Sequence, residues 1–201
     1  MKKAGHAYIF TGPEGVGKMK TALAFASALM CDDFNGDSCG KCKNCRLTFG
    51  NAHPDLKVAD YSVDADGKVK ASISVDAVRE LKTDIYLKPF YAKRKIYILD
   101  NADKLTTEAQ NALLKVFEEP PEYATVILIC HNISKILSTI ISRAVLVKFS
   151  SLKPEELEIY FDKYYNDKGN KSVYSRIANG SVSEMIKNIE DENSLAFRNS
   201  V

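Results

Sequence analysis

No apolar stretch in this sequence approaches the ~20 residues that a membrane-spanning helix requires. The N-terminus, MKKAGHAYIF, begins with lysines, but the apolar run behind them is too short for a secretory signal, and Gly12 ends it. An excess of either charge is also lacking. Lys and Arg total 28 against 26 Asp and Glu, and a net charge of +2 gives no general electrostatic footprint for nucleic acid. Any DNA contact must therefore be local. Internal repeats, coiled-coil heptads and low-complexity tracts are missing too. Asp64-Ala65-Asp66-Gly67 opens like a calcium loop, but the later carboxylates that would complete one are absent. What remains is an ordinary globular composition, 45% hydrophobic and 27% charged over 201 residues, enough for a main domain and a small appendage. The chain is expected in the cytoplasm, with no membrane partner.

The stretch that organises the chain is Gly12-Pro13-Glu14-Gly15-Val16-Gly17-Lys18-Met19, between the apolar run Ala7–Thr11 and the Ala- and Leu-rich segment Thr21–Met30. Strand, glycine-rich loop and helix are the setting that the phosphate-loop pattern G-x-x-x-x-G-K-[ST] requires. Gly12, Gly15 and Gly17 let backbone N–H groups turn inward around a phosphate, and Lys18 reaches the outer phosphates. The last position departs from the pattern. Met19 stands where a hydroxyl holds Mg²⁺, and a thioether is a poor ligand for that hard ion. Thr21 does not substitute, because two residues along a helix is a rotation of about 200°. A glycine turn without a ligand is the alternative reading.

Cys31, Cys39, Cys42 and Cys45 follow the spacing C-x7-C-x2-C-x2-C, whereas Cys130 sits alone in an apolar run as a small buried residue. In a reducing compartment clustered thiols bind metal more often than they pair. Gly36, Gly40 and Asn44 supply turns that let four sulfurs converge on tetrahedral zinc. The rivals are an iron–sulfur cluster, for which no downstream Cys-Pro is present, and four unligated thiols. A closed four-cysteine site leaves His53 free as a loop residue beside Pro54.

Further along, Asp55–Asp60, Ile96–Asp100, Thr125–Cys130 and Ala144–Phe149 read as strands. Residues 61–75 read as a surface excursion with a hairpin signal at Asp66-Gly67. Asp76 is expected to cap a helix over Ala77–Lys88, with Val78, Leu81, Ile85 and Leu87 inward and Pro89 as its stop. A helix from Thr107, with Gln110 as capping-box partner, runs to Pro120-Pro121. Ile133–Ser142 also reads as a helix. Strands alternating with helices over residues 1–150 predict a mostly parallel five-stranded sheet between helices. Glu155–Tyr165, Lys171–Asn179 and Ser183–Glu190 predict a small helical domain over 151–201, broken at Lys168-Gly169 and Asn179-Gly180. Asp100, at the end of an apolar strand, fits the Mg²⁺-holding acid of P-loop NTPases, with a turn-capping acid as the alternative. Lys93-Arg94-Lys95 reads as a solvated charge run rather than a DNA-binding element.

The order of these motifs resembles a known family. Phosphate loop, four cysteines, His53-Pro54-Asp55, Asp100-Asn101-Ala102-Asp103-Lys104-Leu105, Asn111-Ala112-Leu113-Leu114-Lys115, Glu118-Glu119-Pro120-Pro121 and Ser142-Arg143 look like the AAA+ subunits of bacterial DNA polymerase III clamp loaders. The delta-prime type fits better than the ATP-hydrolysing gamma/tau type. The resemblance implies an AAA+ P-loop module with an inserted zinc module at 31–45 and a three-helix lid. It also implies a further collar domain, which would lie outside this chain. As partners it implies gamma/tau and delta subunits, with the sliding clamp and primer-template DNA met through the complex. Three departures separate the chain from gamma/tau: Met19, Asn101 in place of a water-polarising Glu, and Ser183 where a lid Arg senses phosphate. They imply weak or absent nucleotide binding and no intrinsic ATPase. Arg143 keeps the family's Ser-Arg motif, although Ala144 follows in place of Cys. It is the expected arginine finger for a neighbouring subunit, with a helix-capping arginine as the alternative.

Overall fold

The computed structural model describes residues 5–59, 72–165 and 171–199. Two compact units form: Met1–Thr11 with Met19–Lys148, and Gly12–Lys18 with Phe149–Val201. No described helix is long and apolar enough to cross a membrane.

The first unit is built on β1 (Ala7–Thr11), β2 (Leu56–Ala59), β3 (Lys95–Leu99), β4 (Ala124–Cys130) and β5 (Val145–Lys148). All pair in parallel, in the order β2-β3-β4-β1-β5. Every residue of β3 and β4 is buried, as near-continuous apolar runs with helices on both faces should be. Fully buried Ile96, Ile98, Ile127 and Leu128 each contribute about 2 kcal/mol of transfer free energy. One face is covered by α1 (Lys18–Met30), whose Phe25 ring meets Tyr8 at 4.9 Å and Phe10 at 6.4 Å. The opposite face packs against α3 (Val75–Asp84) and α4 (Thr107–Glu118), through Val78, Leu81, Leu113 and Phe117. Between β1 and β2 lies the short helix α2 (Lys43–Phe49).

Several expectations need correction. Helix α3 stops at Asp84, not Lys88, because the Asp84 carboxylate and carbonyl are drawn to the sheet edge. Tyr97 Oη donates to the carboxylate at 2.5 Å, and Lys95 Nζ to the carbonyl at 2.9 Å. Leu87 therefore lies on the surface rather than on an inner helical face. Ser74, not Asp76, occupies the N-cap position of α3, and Asp76 pairs within the first turn with Arg79. Asp60 and most of the 61–75 excursion, including Asp66-Gly67, lie outside the described residues. Ile73 is not on the surface: it is buried and bridges to Leu105. Thr106 rather than Thr107 caps α4, accepting Ala109 N–H at 3.2 Å.

The expected helix Ile133–Ser142 is instead a 3₁₀ turn, Ile133–Lys135, and a single turn α5 (Ser138–Ile141). Buried Gln110 separates them. Its amide donates to the carbonyls of Leu105 and Lys135, and its oxygen accepts Leu137 N–H at 2.8 Å, which draws Ile136-Leu137 into extended backbone. Lys95, expected to be solvated, is buried on Asp84, while Arg94 donates to Thr125.

The second unit holds α6 (Pro154–Tyr164), α7 (Lys171–Ile177) and α8 (Val182–Asn199) around Leu157, Phe161, Ala178, Met185 and Ile189. Pro154 opens α6 and Glu156 accepts Lys153 N–H at 2.8 Å, a sound N-terminal cap. Asn179 and Gly180, both at positive φ, turn the chain into α8. That helix runs well past the expected Glu190. Lys168-Gly169 lies outside the described residues.

Candidate functional site

The cysteines come together as the spacing predicts. Cys31, Cys39, Cys42 and Cys45 place their Sγ atoms within 4.8 Å of one another. A tetrahedral ion at about 2.3 Å from each sulfur needs separations near 3.8 Å, and both the Cys39–Cys45 and Cys42–Cys31 pairs stand at 4.0 Å. Backbone N–H groups already point at sulfur: Cys39 at Cys31 Sγ (3.3 Å), Cys42 at Cys39 Sγ (3.3 Å) and Cys45 at Cys42 Sγ (3.4 Å). Such donors stabilise thiolate. The N–H groups of Cys42 and Lys41 hold the Cys39 thiol down to about 7, whereas burial pushes the Cys31 thiol up to about 12. A divalent cation reverses that burial effect, since a coordinated thiol is deprotonated outright. The donor set and its spacing fit zinc, with no open position for catalysis.

Beside this cluster stands a polar relay that sequence reasoning missed. His53 is buried, not a free loop residue. Its Nδ1 accepts Asp55 N–H at 3.0 Å, so the ring proton sits on Nε2 and donates to Asn44 Oδ1, also at 3.0 Å. Burial lowers the His53 pKa and keeps the ring neutral, although Asp55 and Asp32 oppose the shift. Asn44 Nδ2 then donates to Asp32. The signal was local: His-Pro-Asp directly before an edge strand, with an Asn inside the last C-x2-C.

The phosphate loop leaves the end of β1, and Asp100 follows the end of β3. Strands β1 and β3 both pair in parallel with β4, so their C-terminal ends lie on the same side of the sheet. Within the loop, Lys18 Nζ donates to the carbonyls of Gly12 (2.8 Å) and Pro13 (2.5 Å), so the ammonium lies inside the curve its glycines make. Gly15 sits at φ +74°, and a Cβ there would stand 2.0 Å from Ser181 Oγ. Its carbonyl accepts Val182 N–H at 3.0 Å and Ser183 N–H at 3.4 Å, which docks the start of α8 on the loop. Met19 is half-buried at the first turn of α1. Asp100 accepts the N–H of Asn101, and Asn101 adopts a left-handed φ of 51°.

Arg143 follows α5. It is exposed, yet not unengaged: it donates to Thr139 O at 2.9 Å and pairs with Glu118 at 3.2 Å. The Thr139 contact is what a helix-capping arginine makes, and the exposure is what a donated finger needs.

Comparison with known proteins places the chain. The family model described as DNA polymerase III, delta subunit, matches residues 1–153. The delta-prime subunit of Bacillus subtilis is 33% identical over 156 residues, covering 78% of this chain and 45% of that protein. The gamma/tau subunit of Mycoplasma pneumoniae is 37% identical over 138 residues, covering 69% and 19%. Among solved structures, a gamma subunit-related protein of Thermotoga maritima aligns with a TM-score of 0.56 at 23% identity, covering 83% of this chain and 47% of that one. The RuvB Holliday junction branch migration motor of the same organism gives 0.58 at 11% identity, covering 92% and 53%. These likenesses show the fold alone. The chain spans less than half the length of either sequence relative, and relatives of both names align to it. It belongs to the DNA polymerase III delta-subunit family, among relatives that carry the delta-prime and gamma/tau names.

Proposed function

We propose that this chain is a delta-prime-type clamp-loader subunit with no ATPase of its own. It helps load the sliding clamp on primed DNA and offers Arg143 to ATP held by a neighbouring gamma/tau subunit. The observation that carries this reading is Met19: the loop keeps a lysine folded into an anion cradle but lacks the oxygen ligand for Mg²⁺. Asn101 and Ser183 support it, because an amide cannot take a proton from water and a serine cannot reach a phosphate as arginine does. Nucleotide binds weakly or not at all. In this reading residues 1–150 are the AAA+ module and 151–201 the lid. The four cysteines hold a structural zinc, the delta subunit is a further partner, and the work is done in the cytoplasm.

Steady-state ATP hydrolysis by the isolated protein tests the claim. Turnover should be negligible, and Met19→Thr alone should not create it, since Asn101 remains. A rate on the order of 1 s⁻¹ contradicts the proposal. That result would favour a gamma/tau-type motor, a reading supported by the gamma/tau relatives and by the preserved position of Lys18.

A further inference from the structure

Helix α4 ends in a way that its own sequence does not favour. Glu118 is its last residue, Glu119 follows at the C-cap position, and Pro120-Pro121 stop it. The C-terminus of a helix carries partial negative charge on its last carbonyls, so acids there are repelled. The prolines bring no relief, having no N–H to offer those carbonyls. A nearby cation is therefore favoured. Lys115 lies one turn earlier on the same helix, within reach of an i,i+3 pair. Among the described residues, however, Glu118 pairs with Arg143, at 3.2 Å.

The guanidinium is thus held between two helix ends. One terminal nitrogen donates to Thr139 O at 2.9 Å and to Ser142 Oγ at 3.3 Å, in and just after α5. The other meets the Glu118 carboxylate. The planar fork of arginine allows this division, whereas lysine offers a single point of charge. Both side chains stay open to water, Arg143 at 38% and Glu118 at 49% exposure. An exposed pair of this kind biases an orientation by only about two- to threefold. The contact sets where the side chain rests and does not lock it there.

We propose that Glu118 is the resting counter-ion of Arg143. It neutralises the guanidinium and turns it onto its own subunit, then yields it to the γ-phosphate of a neighbour's ATP as the two subunits close. Glu118 has this part only if Arg143 is the finger proposed above, the reading on which this rests. Charge gives the contact its direction. A carboxylate against the guanidinium cancels what a finger brings to a phosphate, and Glu119 and Glu122, both exposed, add repulsion. Carboxylate and phosphate also compete for one guanidinium fork, so full engagement of either excludes the other. Inside a closed interface the phosphate prevails, because charge interactions strengthen as water is excluded.

The test is ATP hydrolysis at the adjoining gamma/tau site of a loader reconstituted from the complete protein with gamma/tau and delta subunits. Rates are measured with and without clamp and primed DNA. Glu118→Gln keeps the size of the side chain and removes its charge, leaving the Thr139 contact in place. Without clamp and DNA, hydrolysis should rise about two- to threefold; with both present, it should match wild type. In Glu118→Gln/Arg143→Ala the rise should vanish, which a merely structural effect of Glu118 would not do. An unchanged unstimulated rate in Glu118→Gln overturns the proposal, and so does a rise that survives in the double variant. A fall in the stimulated rate overturns it too, by making Glu118 a support of the engaged finger. If Arg143→Ala alone leaves stimulated hydrolysis intact, the finger reading fails and the counter-ion falls with it.

Discussion

Removing the Asp55 carboxylate should unfasten the loop before β3 and weaken the unit around it. Asp55 accepts three backbone N–H groups, at 2.6, 2.6 and 2.8 Å, from residues 35 to 37 positions away. A hydrogen bond to a charged group contributes about 1.5–3 kcal/mol. Solvent recovers part of that once the loop loosens, so Asp55→Ala should cost about 3–5 kcal/mol. Asp55→Asn keeps the shape but not the acceptors. Its oxygen can keep Tyr91 and Ala92, but its NH₂ then faces Phe90 N–H, and the loss should be about 1.5–3 kcal/mol. Guanidinium titration of zinc-loaded protein gives both values, and amide exchange at residues 90–92 should accelerate in both variants. Asp55→Asn within 0.5 kcal/mol of wild type, with exchange unaltered, would refute the reasoning.

Acid should expose the neighbouring hub. Burial works to raise the Asp84 pKa, but bonds from Tyr97, Lys95 and Lys57 outweigh it and hold the group at about 2, below its ordinary 3.8. The resulting stability, on the order of 2 kcal/mol, is present above pH 4 and is lost as pH falls toward 2. Asp84→Asn should flatten that limb of an acid-denaturation profile. Metal analysis of protein purified without added zinc should return one zinc per chain. Cys42→Ser should abolish it and loosen residues 31–45 while the sheet persists, as amide exchange would report; iron, or no metal in the wild type, refutes the assignment. Gln110→Leu strands Leu137 N–H and two carbonyls, and should lower stability by about 2–4 kcal/mol in the same guanidinium titration.

What the sequence disclosed followed from how local each signal is. The sheet was legible because β3 and β4 are unbroken apolar runs, which only a strand covered on both faces explains. The cysteines and the phosphate loop were legible because their ligand geometry is set by spacing within one short segment. The missed features are non-local. Ile133–Ser142 has helical composition, yet Gln110, more than twenty residues earlier, takes the Leu137 amide and divides it. His53 looked like a loop residue because its partners Asn44 and Asp55 flank it across a fold that spacing does not reveal. The stop of α3 was set by Tyr97 and Lys95 on a later strand rather than by Pro89. Glu118, recognised as part of a motif, gave no hint of its pairing with Arg143.

The claim that this subunit assists a reaction it cannot perform comes down to Arg143. An exposed arginine paired to an exposed glutamate contributes under about 0.5 kcal/mol, so Arg143→Ala should leave the fold intact. The direct measurement is single-turnover ATP hydrolysis by a loader reconstituted from the complete protein with gamma/tau and delta subunits, clamp and primed DNA. With Arg143→Ala, assembly should be retained while hydrolysis at the adjoining gamma/tau site falls by a factor on the order of 10³, the usual worth of an arginine finger. Full hydrolysis and loading rates in the variant complex would contradict the account and leave Arg143 as the cap of a one-turn helix.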